Sequence, residues 1–218
     1  MKNAFCSWSG GKDSCLALYR SLQDSINLVS LFTMCREDGV KSRSHGLYPD
    51  ILKAQADSLG ANLVMRQATW DDYEETFKDQ MSKFESEDLD LGIFGDIDID
   101  AHRQWVHDAL SHTKMNVLHP IWQESRRSLI EEFVDLGFEA MIVAVNTNYM
   151  PDSFLGRIFN KDLIVELEKL GVDACGENGE FHTVVTNGPI FKFPIELEIS
   201  SIIKNGSSSM LDLSLKTR

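Results

Sequence analysis

Cysteine is scarce in this chain of 218 residues: Cys6, Cys15, Cys35 and Cys175 are widely scattered, and no two of them form a C-x-x-C pair. Structural zinc and a disulfide framework both need paired thiols at close spacing, so neither has support here. Cys6 and Cys15 fall on apolar faces and read as buried free thiols. Cys35 and Cys175 fall in expected loops, without the basic neighbourhood that lowers a thiol pKa and makes a nucleophile. Long hydrophobic runs are missing too, and none approaches the roughly 20 residues of a membrane-crossing helix. The N-terminus carries one Lys and passes directly into the first expected strand, which does not fit a cleaved signal peptide, so the expected location is cytoplasmic with no membrane partner. Positive charge is also in short supply. Lys and Arg number 21 against 34 Asp and Glu, a formal net charge of -13, and no segment is rich in Lys or Arg. General nucleic-acid binding needs a basic surface and is disfavoured; a cationic or small-molecule partner fits better. Internal repeats and low-complexity tracts are absent. A hydrophobic fraction of 43% over this length suffices for one sizeable core, or for a main domain with a small appendage.

The most informative stretch is Ser9-Gly10-Gly11-Lys12-Asp13-Ser14, between the apolar run Ala4-Phe5-Cys6 and a helical pattern. Two adjacent glycines permit backbone angles that turn peptide N–H groups inward, which builds a concave anion site. A helix starting near Ser14 adds free N-terminal amides and the positive end of its dipole. Lys12 adds a full charge, Ser9 and Ser14 offer hydroxyls, and Asp13 is placed either to cap the helix or to hold a magnesium ion against phosphate oxygens. The spacing is not that of a Walker loop, because Lys12 follows Gly11 but precedes Asp13. It resembles the SGGxDS loop of the PP-loop ATP pyrophosphatases, within the adenine nucleotide alpha hydrolase superfamily. That resemblance implies splitting of ATP into AMP and pyrophosphate.

Taken in order, the chain alternates strands and helices. Strands are expected near Lys2–Trp8, Leu28–Met34, Asn62–Met65, Leu91–Phe94, Asn116–Leu118 and Ala140–Val145, and helices between them. Tyr73, Phe77, Met81 and Phe84 recur at helical spacing and read as core. The fold class is α/β: a doubly wound, mostly parallel, Rossmann-like sheet with helices on both faces. Ligands in such folds sit at the carboxyl ends of strands, so the first loop, the turn after Met34, and Gly95-Asp96 share one rim suited to ATP. The polar segment from Cys35 to Ser44 is the expected mobile loop in this half. Beyond about Asn146 the pattern changes to three strand-like runs, Phe181–Thr186, Ile195–Ile199 and Met210–Leu215. Turns at Asn187-Gly188-Pro189 and Asn205-Gly206 separate them, which predicts a small antiparallel C-terminal unit. The expected division is 1–145 for nucleotide binding and 146–218 for the smaller substrate unit.

That unit contains Gly176-Glu177-Asn178-Gly179-Glu180-Phe181-His182-Thr183, a concentration of hydrogen-bonding groups at a strand mouth. Strand alternation puts Glu180 and His182 on one face, able to act together on a ligand, and Phe181 and Thr183 on the other. SGGKDS paired with GENGEFHT, through Gly156-Arg157 to Asn187-Gly188-Pro189-Ile190-Phe191, resembles the diphthine-ammonia ligase family of ATP-binding amidases. His45, Gln55-Ala56, Leu59-Gly60, Gly95, Pro120-Ile121-Trp122 and Gly137-Phe138 also fall where that family's pattern places them. The resemblance covers about residues 1–195. It implies ATP and magnesium as cofactors and a carboxylate activated as an acyl-adenylate, then amidated by ammonia. The acceptor implied is diphthine on an elongation factor. Ser9, Gly10, Gly11, Lys12, Asp13 and Ser14 would bind ATP, with Lys12, Asp13, Glu180 and His182 catalytic. His45, Arg157, Glu177, Asn178, Gly179, Glu180, His182 and Thr183 would receive the acceptor. Family members dedicated to diphthamide commonly read Glu-Gly-Gly-Glu-Phe-Glu-Thr where this chain has Asn178 and His182. Two alternatives therefore stand beside the first: the same chemistry on another acceptor, such as a corrinoid carboxylate, and a non-enzymatic adenine-nucleotide sensor. A homo-oligomer is compatible with either.

Overall fold

In β1 (Lys2–Ser7) the buried residues Ala4, Phe5 and Cys6 point alternately to opposite faces, so the sheet they enter must be covered on both sides. The computed structural model describes residues 1–216, and it meets that demand. β1 lies at the centre of a five-stranded sheet with β2 (Ile26–Cys35), β3 (Asn62–Gln67), β4 (Leu91–Ile93) and β5 (Asn116–Leu118), in the order β3-β2-β1-β4-β5. Every pairing is parallel. Phe5 joins one core with residues of α3 (Tyr73–Ser86) and α4 (Asp100–Leu110), where it stacks on Phe84 and meets Phe32 and Phe94 edge-on. Ala4 and Cys6 join the other core with α1 (Lys12–Ser21), α2 (Pro49–Leu59) and α5 (Arg126–Asp135). Strand order reverses between β1 and β4, so the loops after these two strands flank the crevice where such sheets bind ligands.

The run around Ala140–Val145 does not extend this sheet. As β6 (Glu139–Asn146) it pairs antiparallel with β7 (Phe181–Asn187) and β9 (Ser208–Leu215), in a second sheet of order β7-β6-β9-β8. A strand buried on both faces has the same continuous apolar pattern in either sheet, so its sequence could not choose between them. The second sheet shares the core of Ala4 and Cys6 through Ile142, Val184 and Leu211, and α6 (Lys161–Lys169) packs on that core as well. β8 (Leu197–Asn205) extends well beyond Ile199 and forms a hairpin with β9 over Asn205-Gly206, with Gly206 at φ +59°. Cys35 does not lie in a loop but ends β2 opposite Gln67, whereas Cys175 lies in the expected loop, between α6 and β7; both are buried. All four cysteines are free. Among the described residues no helix is long and apolar enough to cross a membrane.

The second sheet positions the site by closing on the β1–α1 loop. Val185 N–H donates to the Gly10 carbonyl at 2.8 Å, and Lys12 N–H donates to Thr183 Oγ1 at 3.2 Å. Gln55 of α2, wholly buried, completes the closure. Its Oε1 accepts from Trp8 Nε1 at 2.9 Å, while its Nε2 donates to the Gly10 and Val185 carbonyls at 3.0 and 2.7 Å. One amide thus joins the first loop, α2 and β7. Gln55→Ala leaves these groups short of partners in the interior, and the expected loss is about 2–4 kcal/mol of unfolding free energy. Urea denaturation followed by tryptophan fluorescence checks this; a loss below about 0.5 kcal/mol would show that the amide does not hold the junction.

Candidate active site

The first turn of α1 begins at Lys12, two residues earlier than expected, because Gly11 takes the N-cap position. Gly10 at φ +82° makes the turn that a side chain would strain. Ser9 Oγ accepts from Gly11 N–H at 3.2 Å and lies 3.1 Å from Ser14 Oγ, so the two hydroxyls stand beside the free amides of the helix. Asp13 makes no cap. Its Oδ2 takes the Lys12 ammonium at 2.8 Å. Gly95, after β4, lies so close to this turn that an added Cβ would stand 2.8 Å from Asp13 C and Ser14 N. Only glycine lets the two loops of the crevice meet.

A cleft of about 480 Å³ opens over these loops, with two chemically distinct ends. Ser9, Asp13, Ser14, Ser44, His45, Gly95 and Asp96 line the polar end. Phe32, Met34, Trp70, Tyr73, Phe77 and Trp105 line the other. The Arg43 guanidinium lies 4.4 Å over the Trp70 ring and donates to the Ala68 carbonyl. The apolar residues of α3 divide their roles: Met81 and Phe84 are sealed in the core, while Tyr73 and Phe77 also face the cleft. Helical periodicity finds the stripe but cannot separate these roles. Asp96 sits between His102 Nδ1 at 3.8 Å and His119 Nδ1 at 3.4 Å. Neither Gly10 nor Gly11 lines the cleft: a Cβ at Gly10 would strike Leu47, and one at Gly11 would strike His45. Residues 35–44, expected as a mobile loop, fold back on β2: Arg43 N–H donates to the Met34 carbonyl and Arg36 N–H to the Lys41 carbonyl.

A second cleft of about 190 Å³ adjoins the first and shares Asp13, His45 and His102 with it. Lys12, Cys175, Glu177, Phe181, His182 and Thr183 also line it. Lys12 therefore belongs to this cleft and not to the larger one. Burial works to lower its pKa, but Asp13, Cys175 and Glu177 outweigh burial and keep the ammonium firmly charged. Burial raises the Glu177 carboxyl to about 7, and Asp13 adds to the rise against Lys12 and Arg126. His45 is driven down to about 3 by burial, then by His182, with the Thr183 hydrogen bond opposing. Because a carbonyl only accepts, His45 Nδ1 must donate to Thr183 O at 2.7 Å, which leaves Nε2 as the ring's acceptor. His182 lies 4.7 Å from His45 and is lowered by burial and Lys12, so both rings are neutral at pH 7. Cys175 is pushed up to about 12 by burial and is no nucleophile.

Glu180 departs from the expectation that it faces a ligand beside His182. It is buried, and its carboxylate accepts from Asp173 N–H at 3.3 Å, Asn178 N–H at 2.9 Å and Asn178 Nδ2 at 3.0 Å. The cause is the turn before it: Gly176 and Gly179, at φ +72° and +80°, curl the loop back so that its own amides meet this carboxylate. Alternation holds only from Phe181 onward. Asn178 is exposed, and Thr183 is buried with Oγ1 engaged by Lys12 N–H. Arg157 lines neither cleft, since it pairs with Glu166 at 2.6 Å and lies over the Phe154 ring. Sequence reasoning missed Arg126, the first residue of α5, which contacts both Asp98 and Asp173. A cation in a helix's first turn opposes the dipole, and that anomaly was its one available signal. For magnesium, the polar end offers Asp13 and Asp96 and little else; among the described residues no three His, Cys, Asp or Glu side chains converge on a metal position. Magnesium is commonly held by one or two carboxylates with substrate phosphates, and this donor set fits that habit.

Residues 1–116 match the family model of the diphthamide synthase N-terminal domain, and residues 125–214 match that of the diphthamide synthase C-terminal domain. The curated relatives include proteins named diphthine–ammonia ligase. The one from Rattus norvegicus is 25% identical over 220 residues, covering 89% of this chain and 82% of the relative. The one from Homo sapiens is 26% identical with the same coverage, 89% and 82%. The one from Schizosaccharomyces pombe is 24% identical over 95% of this chain but 38% of its own length. Among solved structures, a predicted subunit of tRNA methyltransferase from Methanocaldococcus jannaschii superposes with a TM-score of 0.41 at 12% identity, over 80% of this chain and 90% of that one. That likeness is too distant to bear on function.

Folding raises the Glu177 pKa from 4.5 to about 7, so between those values the folded protein binds more protons than the unfolded chain, and stability falls as pH rises through that window. Glu177→Gln removes the effect. The variant is expected to be more stable than the parent at pH 8, by on the order of 1–3 kcal/mol, with the difference vanishing below about pH 4.5. Urea melts at pH 5 and pH 8 measure it, and a variant less stable than the parent at pH 8 would contradict the electrostatics described.

Proposed function

This chain belongs to the diphthamide synthase family, and from that premise we propose that it is an AMP-forming amide ligase, which activates a carboxylate with ATP and amidates it with ammonia. The observation that carries the reading is the meeting of two clefts at Asp13 and His45, one with the shape and chemistry for a nucleotide and the other lined by Lys12, Glu177 and His182. The purine is assigned to the aromatic end between Trp70, Tyr73 and Trp105, where stacking needs no base-specific contact. The phosphates are assigned to Ser9, Ser14 and the open amides of α1, with the helix dipole offsetting negative charge as pyrophosphate leaves and Lys12 held charged against Asp13 in the adjoining cleft, where the two clefts meet. Asp13 and Asp96 would hold magnesium, which supplies further charge neutralisation at the phosphates. An acceptor carboxylate oxygen attacks the α-phosphorus at the junction, forming the acyl-adenylate as the bond to pyrophosphate breaks.

The second cleft then serves amidation. Ionised Glu177 attracts ammonium and takes one proton from it, as its raised pKa suits at neutral pH. The ammonia released attacks the acyl carbon, AMP departs with the electron pair of the broken bond, and neutral His182 takes the second proton. His45 Nε2 is an acceptor at the same junction and orients the nucleophile's N–H. Glu180 acts through the loop it holds, as a positioning residue. The relatives' names make diphthine the first acceptor to test, an elongation-factor side chain whose quaternary ammonium suits Glu177. The same chemistry on a small-molecule carboxylate, a corrinoid acid included, is the second acceptor to test, because Asn178 and His182 depart from the residues that the diphthamide members of the family commonly carry there.

The test is ATP turnover with magnesium and ammonium against both acceptors, separating AMP from ADP. AMP and pyrophosphate are expected with one acceptor only, and Lys12→Ala or Asp13→Ala should lower the rate by about 100-fold or more with the fold intact. ADP in place of AMP, or near-parental turnover in either variant, would sink the assignment.

A further inference from the structure

Arg126 occupies the first turn of α5, followed by Arg127 and without any acidic residue in that turn. A helix N-terminus repels cations, at a cost of about 0.3–1 kcal/mol each. Arg127 offsets this on the surface with Glu131 and Glu168. Arg126 does something different. Its Nε and Nη2 both donate to Asp98, each at 2.7 Å, in a two-pronged fork, and its Nη1 donates to Asp173 at 2.6 Å. Its backbone carbonyl accepts from Cys175 Sγ at 3.0 Å. One planar cation thus joins two loops that are 75 residues apart in sequence: the Asp98 loop carries Asp96 into the larger cleft and Ile99 to the border of the smaller one, while the Asp173 loop carries Cys175 and Glu177 into the smaller.

The two attachments are unequal. Asp98 follows Gly95 and Asp96 in the wall of the larger cleft, and that loop is independently fixed: Phe94 N–H donates to Leu118 O at 2.9 Å and Gln123 N–H to Ile97 O at 2.6 Å. Asp173 is the supported side. Its Oδ1 accepts from Cys175 N–H at 3.0 Å and its Oδ2 from Glu177 N–H at 3.1 Å, so the oxygen held by Arg126 also holds the Glu177 backbone. Glu180 pins the same turn from below through Asp173 N–H and Asn178 N–H. Lys could keep the charge of Arg126 but not its simultaneous fork and third contact.

We propose that Arg126 is a positioning residue that references the Glu177 loop to the nucleotide wall, anchored at Asp98 and acting at Asp173, so that the amidating cleft is registered against the bound adenylate. This rests on the amide-ligase reading. Because the wall stands without the tether, cutting it should spare adenylation and impair amidation. Two partial reactions separate these: acceptor-dependent exchange of pyrophosphate into ATP, which reads activation, and ammonium-dependent amide formation.

Arg126→Gln, Arg126→Lys and Asp98→Asn, in the full chain, are expected to keep pyrophosphate exchange within about twofold and to lose about 10-fold or more in amide formation, with a raised KM for ammonium. Arg126→Gln combined with Asp98→Asn should be no worse than the more impaired single variant, since both cut one tether. Equal losses in exchange and amide formation would mark a general structural role and overturn the proposal, as would full amide formation in Arg126→Gln. Absence of both AMP and exchange in the unaltered protein would instead remove the ligase reading and the tether with it.

Discussion

The closure of β7 onto the β1–α1 loop is the constraint on which both clefts depend. Gly10 offers its carbonyl to Val185, Lys12 offers its amide to Thr183, and the buried Gln55 amide bridges the same strand, the same loop and Trp8. A parallel sheet alone would present the first loop to solvent on its outer side. Here that side is occupied by a strand from a second sheet, and the residues that open this strand, Phe181 and His182, become part of the wall of a new cleft. The β1–α1 loop therefore has two faces. Its hydroxyls and open amides look into one cleft, and Lys12 looks into the other.

Burial then differentiates the titratable groups at the junction. Neutral forms are imposed on His45, His182 and Cys175, while the charge of Lys12 survives because Asp13 lies against it. Glu177 falls between these limits, close to neutrality in its proton affinity. An environment that contains one fixed cation, one poised carboxylate and two neutral imidazoles suits a step in which an ammonium ion must lose protons beside a charged leaving group. It also carries a stability cost, since an ionised Glu177 would be better solvated in the unfolded chain, as expected where function and stability compete.

The parallel half of the fold was legible in the sequence because its signals are local: apolar runs of strand length and helical stripes such as Tyr73, Phe77, Met81 and Phe84. The turn that opens α1 was legible for the same reason, its glycines and hydroxyls being adjacent. What escaped were relations between distant segments. β6 carries the same apolar run whichever sheet it joins, so its partner was invisible. Glu180 follows the strand alternation on paper, but a turn built by Gly176 and Gly179 sends its carboxylate to backbone amides instead. Arg157 looked available until Glu166 met it, and Arg126 gave only the faint signal of a cation at a helix N-terminus. The aromatic end of the larger cleft was hidden in a stripe that serves core and cleft together.

In the proposed reaction the acceptor carboxylate meets the α-phosphorus where the clefts join. Turnover of an acceptor whose carboxylate oxygens carry oxygen-18 tests this, because attack at that phosphorus leaves one acceptor oxygen on the AMP released. Mass spectrometry should find one heavy oxygen in AMP and none in pyrophosphate. Label in pyrophosphate or inorganic phosphate, or AMP wholly unlabelled while amide accumulates, would contradict the geometry proposed for the two clefts.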